Sequence, residues 1–260
     1  MKKFFYNIKK YFRYALYSAK ADLKAEVAGS HLNWLWWILE PLCFMMIYMF
    51  IASIVFKSSE QHFQVFVFIG LTAWDYFNKN VTASVKIVTA NKGIVSKIYI
   101  PKYILVLQKS FVNLFKMFIS WILIFIFMII LKVPFTFGLL YIIPILIVFY
   151  IVTFGICNIL LHFGIFIEDL ANVTNLGLKL VFYLSGVFYS ITTRVPKAYK
   201  GFLLTANPAA FIIDSLRKAV LYNQSPVLSI LGLWLVIGIL LSMVGILIIH
   251  KYENSYAKVI

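Results

Sequence analysis

The sequence predicts an all-α integral membrane protein. Six transmembrane helices follow an N-terminal amphipathic interface helix, and two short re-entrant outer helices lie between spans five and six. Three observations predict this. Hydrophobic residues make up 63% of 260 and charged residues 13%, with a mean hydropathy of +0.92. A soluble domain needs more polar surface to cover its core, so the apolar excess must face lipid. Six runs approach or exceed the ~20 residues that cross a bilayer core. The net charge of +15 fits lysine-rich cytoplasmic loops beside anionic lipid, whereas long charge-free runs argue against nucleic acid as the partner.

Residues 1–33 form the first unit. Phe4, Phe5, Ile8, Phe12, Ala15, Leu16, Ala19 and Leu23 recur at three- and four-residue spacing, with Lys9, Lys10, Arg13 and Lys20 on the other face. That pattern predicts an amphipathic helix lying in the interface. Trp34, Trp36 and Trp37 then form an aromatic belt at headgroup depth. This stretch is too long and too aromatic for the n-region of a cleavable signal.

Residues 34–260 form the transmembrane domain. Its runs are Trp34 to Phe56, Phe63 to Val85, Leu107 to Leu131, Leu139 to Phe163, Val173 to Ser190 and Val227 to Ile249, the second and fifth weakened by polar residues. Val133-Pro134 predicts the end of the third, and Ser225-Pro226 the start of the sixth. Lysines at 2, 3, 9, 10, 20 and 24 and at 86, 92, 97 and 102 place both termini and the loop after span two in the cytoplasm. Lys57 and Lys132 then fall outside, in short loops. The segment holding Arg194, Lys197, Lys200, Arg217 and Lys218 conflicts with this orientation, and the first helix is taken to dominate. Within that segment Pro196–Leu204 and Pro208–Tyr222 read as short helices, the second capped by Asn207 and opened by Pro208. Non-spanning backbone at membrane depth must be buried in protein or line a wet cavity.

Polar residues inside spans carry the functional signal. Thr72, Asp75, Lys79, Thr82 and Lys86 alternate by three and four and share one face of span two. Charges at that depth normally face a bundle interior or a water path. Asp75 and Lys79 are also spaced as an i,i+4 pair, so a helix tie and a pathway stripe are both open readings. Glu40-Pro41 early in span one is open between structure and function, and Glu168-Asp169 reads as a solvated inner turn. Cys43 and Cys157 lie in apolar runs and read as small hydrophobes. His31, His62, His162 and His250 lack ligand spacing, so no metal is assigned. There is no G-x-x-x-x-G-K-S/T phosphate loop and no nucleophile or acid-pair constellation, so the chain itself is not expected to be an enzyme.

The order of these features resembles the permease subunits of type-2 ABC exporters that move O-antigen, capsule, rhamnan or teichoic acid chains. Ala21 to Ser30 with Leu35-Trp36 and Glu40-Pro41-Leu42 is similar to the family's opening D-L-K…G-S…L-W…P-L. Gly70-Leu71 with Trp74 and Phe77 resembles its second-span G-L…W-x-F-F, and Lys97 to Lys102 its K-x-x-F-P-R/K inner loop, with Ile100 for Phe. Phe182 to Gly186, Phe188-Tyr189, Val195-Pro196 and Asn207-Pro208 resemble F-Y-L-S-P-x-x-Y…V-P…N-P. Gly186 replaces the usual proline, Asp75 adds a charge, and Glu168-Asp169 replaces Arg-Asp.

The resemblance implies a homodimeric channel in the cytoplasmic membrane of a bacterium. Two ABC ATPase subunits would hold ATP and magnesium, with no cofactor in this chain, and the substrate would be a lipid-linked glycan. Contact with the ATPase would fall on Asp22, Lys24, Lys92, Gly93, Lys97, Tyr99, Pro101 and Lys102, and the outer gate on Pro196, Asn207 and Pro208. Asp75, Lys79, Tyr183, Phe188 and Tyr189 are the candidate channel and substrate-path residues. The alternatives are a type-2 ABC permease for a small lipid or drug, and a secondary transporter, for which no inverted repeat is visible.

Overall fold

A computed structural model describes residues 2–29, 31–54 and 62–259. Ser30, Phe56 at the expected end of span one, and Lys57 lie outside the described residues. No strand occurs among those described, which form helices joined by short turns.

The first helix, α1 (Lys2–Ala28), lies across the first half of α5 (Lys102–Ile130). Its seam is rotated from the expected one. Asn7, Ala15 and Ala19 are buried while Phe12 and Leu16 are exposed, because the two alanines let the backbones approach where larger side chains would hold them apart. Helix α2 (Trp36–Ile54) contains Pro41 and sits on the outside of the bundle with few buried residues. Helix α3 (Phe63–Ala90) is central, packed on α5 and on α6 (Ile142–Phe166). A single helical turn, α4 (Lys92–Val95), follows it. The α5 helix ends in a Schellman motif: Lys132 is left-handed at φ 54°, with Val133 N bonded to Met128 O and Lys132 N to Ile129 O. The expected Val133-Pro134 stop thus falls just past the cap.

Helix α7 (Leu170–Leu184) starts from the exposed Glu168-Asp169 turn. Beyond it come α8 (Ile191–Arg194), α9 (Lys197–Ala206) and α10 (Pro208–Leu221). Helix α11 (Leu228–Val259) starts two residues after Pro226 and packs along α6. That seam is built from small residues. A Cβ on Gly155 would lie 2.8 Å from Leu241 Cβ, and one on Gly238 would lie 2.8 Å from Val152 Cγ2. Ser242 donates across it to the Ile151 carbonyl at 3.2 Å. Lipid offers no hydrophobic drive for helix pairing, so close contact of this kind replaces it.

Four helical stretches among the described residues are long and apolar enough to cross a membrane: Asn33–Ile51, Lys102–Ile130, Phe137–Phe166 and Leu228–Glu253. The chain is a multi-pass membrane protein. Two of the six expected spans are weaker for physical reasons. Helix α3 is long enough at 28 residues but carries the polar stripe. Helix α7 has only 15 residues, because the backbone reverses at Gly186 with φ +65°.

Candidate functional site

The polar face of α3 opens onto a groove of about 810 Å³ between α2, α3, α5 and α7. Thr72, Asp75, Lys79 and Thr82 line it, whereas Lys86 points to solvent further along. The opposite face of α3, with Phe77, Val81 and Val85, is buried in the bundle. The stripe therefore faces out of the monomer, and the apolar residues face in.

Lys79 is shared by two carboxylates, Asp75 Oδ2 at 2.9 Å on its own helix and Glu40 Oε1 at 3.4 Å on α2. Lys116, which also lines the groove, reaches Glu26 on α1 at 2.5 Å, and Lys109 reaches the same carboxylate at 3.8 Å. Asp75 and Glu40 are about half exposed. Pairs so open contribute about 0–1 kcal/mol, while a charge at the bilayer centre costs roughly 2.5–3.5 kcal/mol on insertion scales. Charges at membrane depth normally face a bundle interior or a water-filled path, and the groove is where these meet. Glu40 belongs to the site although the sequence left its role open.

Aromatic rings close the groove at the end nearest α8. Phe188 packs on Tyr48 at 4.2 Å and on Phe182 at 5.2 Å, and Phe182 packs on Trp74 at 5.2 Å. Tyr183 lines the groove and is 69% exposed. Tyr189 lies past the end of α7 and donates from its hydroxyl to the Tyr183 carbonyl at 2.8 Å.

The turn between α7 and α8 is held by a residue whose only signal in the sequence is its charge. Arg217 on α10 is 4% exposed. Its Nε donates to Phe66 O at 3.0 Å, its Nη1 to Gly186 O at 2.7 Å and its Nη2 to Val187 O at 2.5 Å. The guanidinium stacks over the Phe66 ring at 3.5 Å, and Gly70 makes room for it, since a Cβ there would meet Nη2. Lys218 pairs with Asp214 at 2.7 Å. With Lys200, which donates to the Thr192 carbonyl at 3.1 Å, three of the five cations that opposed the expected orientation are engaged in the fold. The expected cap of α10 is present: Asn207 Oδ1 accepts from Ala209 N and Ala210 N, and its Nδ2 donates to Ser185 Oγ at 3.0 Å. The two short helices differ, α10 being buried along most of its length and α9, after Pro196, largely exposed.

Of the residues implied by the resemblance as ATPase contacts, those after α3 lie together at the other end of the bundle, whereas Asp22 and Lys24 sit on α1. Lys92, Gly93, Lys97 and Tyr99 are exposed on the loop after α3, and Lys24 on α1. Pro101 and Lys102 are buried beneath them. Asp22 accepts from Gln108 Nε2 at 3.0 Å. Tyr99 donates to Glu253 Oε2 on α11 at 2.9 Å and accepts at its carbonyl from Tyr11 at 3.3 Å. Partial burial, with the Glu253 bond, pushes its phenol up to about 12. Glu253 gave no sequence signal, because its partner lies 154 residues away.

Apolar helices of membrane-crossing length around a charge-lined groove define a multi-pass membrane protein. No family model matches the chain. Along almost its whole length it is similar to the O-antigen export system permease protein RfbA of Klebsiella pneumoniae. Two such proteins are 26% and 27% identical over 256 residues, covering 98% of this chain and 98% of each relative. RfbA of Myxococcus xanthus is 22% identical over 213 residues, 78% of either chain. The likeness to type-2 ABC permeases read from the motifs therefore holds along the whole chain.

Proposed function

We propose that this chain is the membrane channel subunit of an ATP-driven exporter that moves a lipid-linked polysaccharide across the cytoplasmic membrane. The observation that carries it is the full-length likeness to O-antigen export permeases. The groove supports it. A polar stripe facing out of the monomer becomes the interior of a pore when a second copy closes over it, which favours a homodimer. In this reading α2, α3, α5, α6, α7 and α11 cross the membrane, with the polar α3 and the short α7 shielded by their neighbours. Both termini and the Lys92–Lys102 loop face the cytoplasm, where two ATPase copies dock and supply ATP and magnesium. Pro196, Asn207 and Pro208 shape the outer gate. Asp75, Lys79 and Tyr183 line the path, with Phe188 and Tyr189 at its outer end.

Co-expression with an ABC ATPase from a glycan-export system tests this. The two should co-purify, and together they should restore surface polysaccharide to cells lacking their own exporter permease. Substantial ATP hydrolysis by the purified chain alone would overturn the reading. Single cysteines at Lys92 and Lys197 should label from opposite sides of the membrane, and labelling from one side would overturn the orientation.

A further inference from the structure

A second cavity, of about 420 Å³, lies at the end bearing α8, α9 and α10, away from the groove. Ser190 comes from the turn before α8, Thr192 and Thr193 from α8, Lys200 from α9, and Asp214, Arg217 and Lys218 from α10, with Tyr222 and Gln224 beyond it. Three cations meet one carboxylate, so the cavity is net positive whatever pairs form inside it. The cations are held in place. Arg217 is fixed by the carbonyls of Phe66, Gly186 and Val187. Lys200 Nζ donates to Thr192 O at 3.1 Å, and Lys218 is seated against Asp214 at 2.7 Å. Each ammonium has three donors, so protons remain beyond these contacts, and the Ser190–Thr192 hydroxyl pair at 2.7 Å adds neutral donors.

Fixed cations interleaved with hydroxyls in a partly enclosed cavity suit a compact anion with several acceptor oxygens. A neutral sugar needs no such charge, and a carboxylate leaves most of the donors unused. We propose that this cavity is a phosphate-binding site, with Lys200 and Lys218 as its direct ligands and Arg217 as the buried charge behind them. Two sources carry that group to this end of the molecule. One is the headgroup of an anionic phospholipid, and the other is the phosphate of the exported glycan's lipid carrier. The second source rests on the transport reading, whereas the site itself does not.

The probe is inorganic pyrophosphate, titrated calorimetrically into the full chain in phosphatidylcholine nanodiscs without ATPase. Lys200→Gln and Lys218→Gln should each weaken binding about tenfold, while Lys197→Gln, on the exposed side of α9, should leave it unchanged. Asp214→Asn removes the opposing charge and should tighten binding severalfold, a gain that damaged folding cannot produce. Absence of binding, or equal binding by the unmodified chain and both lysine variants, overturns the proposal. Repeating the titration in phosphatidylglycerol nanodiscs separates the sources: a weaker apparent affinity identifies the headgroup, and an unchanged one the carrier. Restoration of surface polysaccharide is scored separately. Loss of that activity with pyrophosphate binding intact tells against the transport reading alone.

Discussion

The two faces of α3 obey different rules. On the face toward α5, α6 and α10, each residue is held by shape. Gly164 of α6 sits so close that a Cβ on it would collide with the Val85 carbonyl, and Gly70 leaves space only for the Arg217 guanidinium. On the groove face, Asp75, Lys79 and Thr82 are partly open and share the groove with side chains from α2 and α7. One face is over-determined by packing, where a single methyl is felt. The other tolerates change in shape and is sensitive to change in charge. Stability and transport should therefore separate cleanly along a single helix.

The sharpest way to break this contrast is to overfill the packed face. Gly164→Leu forces α6 away from α3 and should abolish recovery of folded protein, as judged by size-exclusion profile and yield; a monodisperse variant would refute the packing. Next in size is Arg217→Met, which strips the donors from three backbone carbonyls while keeping an apolar stem over Phe66. Leaving such carbonyls unsatisfied should cost about 3 kcal/mol, read as a lower thermal midpoint in detergent. Tyr99→Phe removes one hydrogen bond between the inner loop and α11 and should cost about 1 kcal/mol. In the coupled complex it should depress export more than ATP hydrolysis.

On the groove face the order inverts. Lys79→Met should shift stability by no more than about 1 kcal/mol, yet reduce export severalfold; a large loss of stability with normal export would make the ion pairs a mere tie. Tyr183→Ala is expected to be the mildest change to the fold, about 0.5 kcal/mol or less for a side chain so exposed. Export should still fall, and export at the unmodified rate would place the channel wall elsewhere.

What the sequence made legible was whatever is written locally. The i,i+3/i+4 spacing of Thr72, Asp75, Lys79 and Thr82 identified one face of α3, and Asn207-Pro208 identified the start of α10, because both signals sit within a few residues. Arg217 was opaque. A cation in a polar-looking segment reads as solvated, and its carbonyl partners lie 30, 31 and 151 residues away. Glu40 joined the site only through a contact made across 39 residues. A continuous span from Val173 to Ser190 would carry Tyr183 and Tyr189 on one helix. The chain instead reverses at Gly186, where φ +65° is open to glycine and closed to the proline expected from the resemblance. That departure is a different turn, accommodated by Arg217, rather than a neutral exchange.

The glycine seam between α6 and α11 has a mechanical consequence. Helix α11 runs 32 residues without a break, a stiff rod about 48 Å long at 1.5 Å per residue. It meets α6 closely at Gly238, against Val152, and at Gly245, against Asn158. Glu253, bonded to Tyr99, lies about 12 Å beyond Gly245, and Leu228 lies about 25 Å the other way. For a rotation centred on Gly245, the inner of the two glycine contacts, α11 is a first-order lever with a ratio near two. A 1 Å displacement at the Tyr99 end emerges as roughly 2 Å at Leu228, beside the short helices on the far side of the bundle.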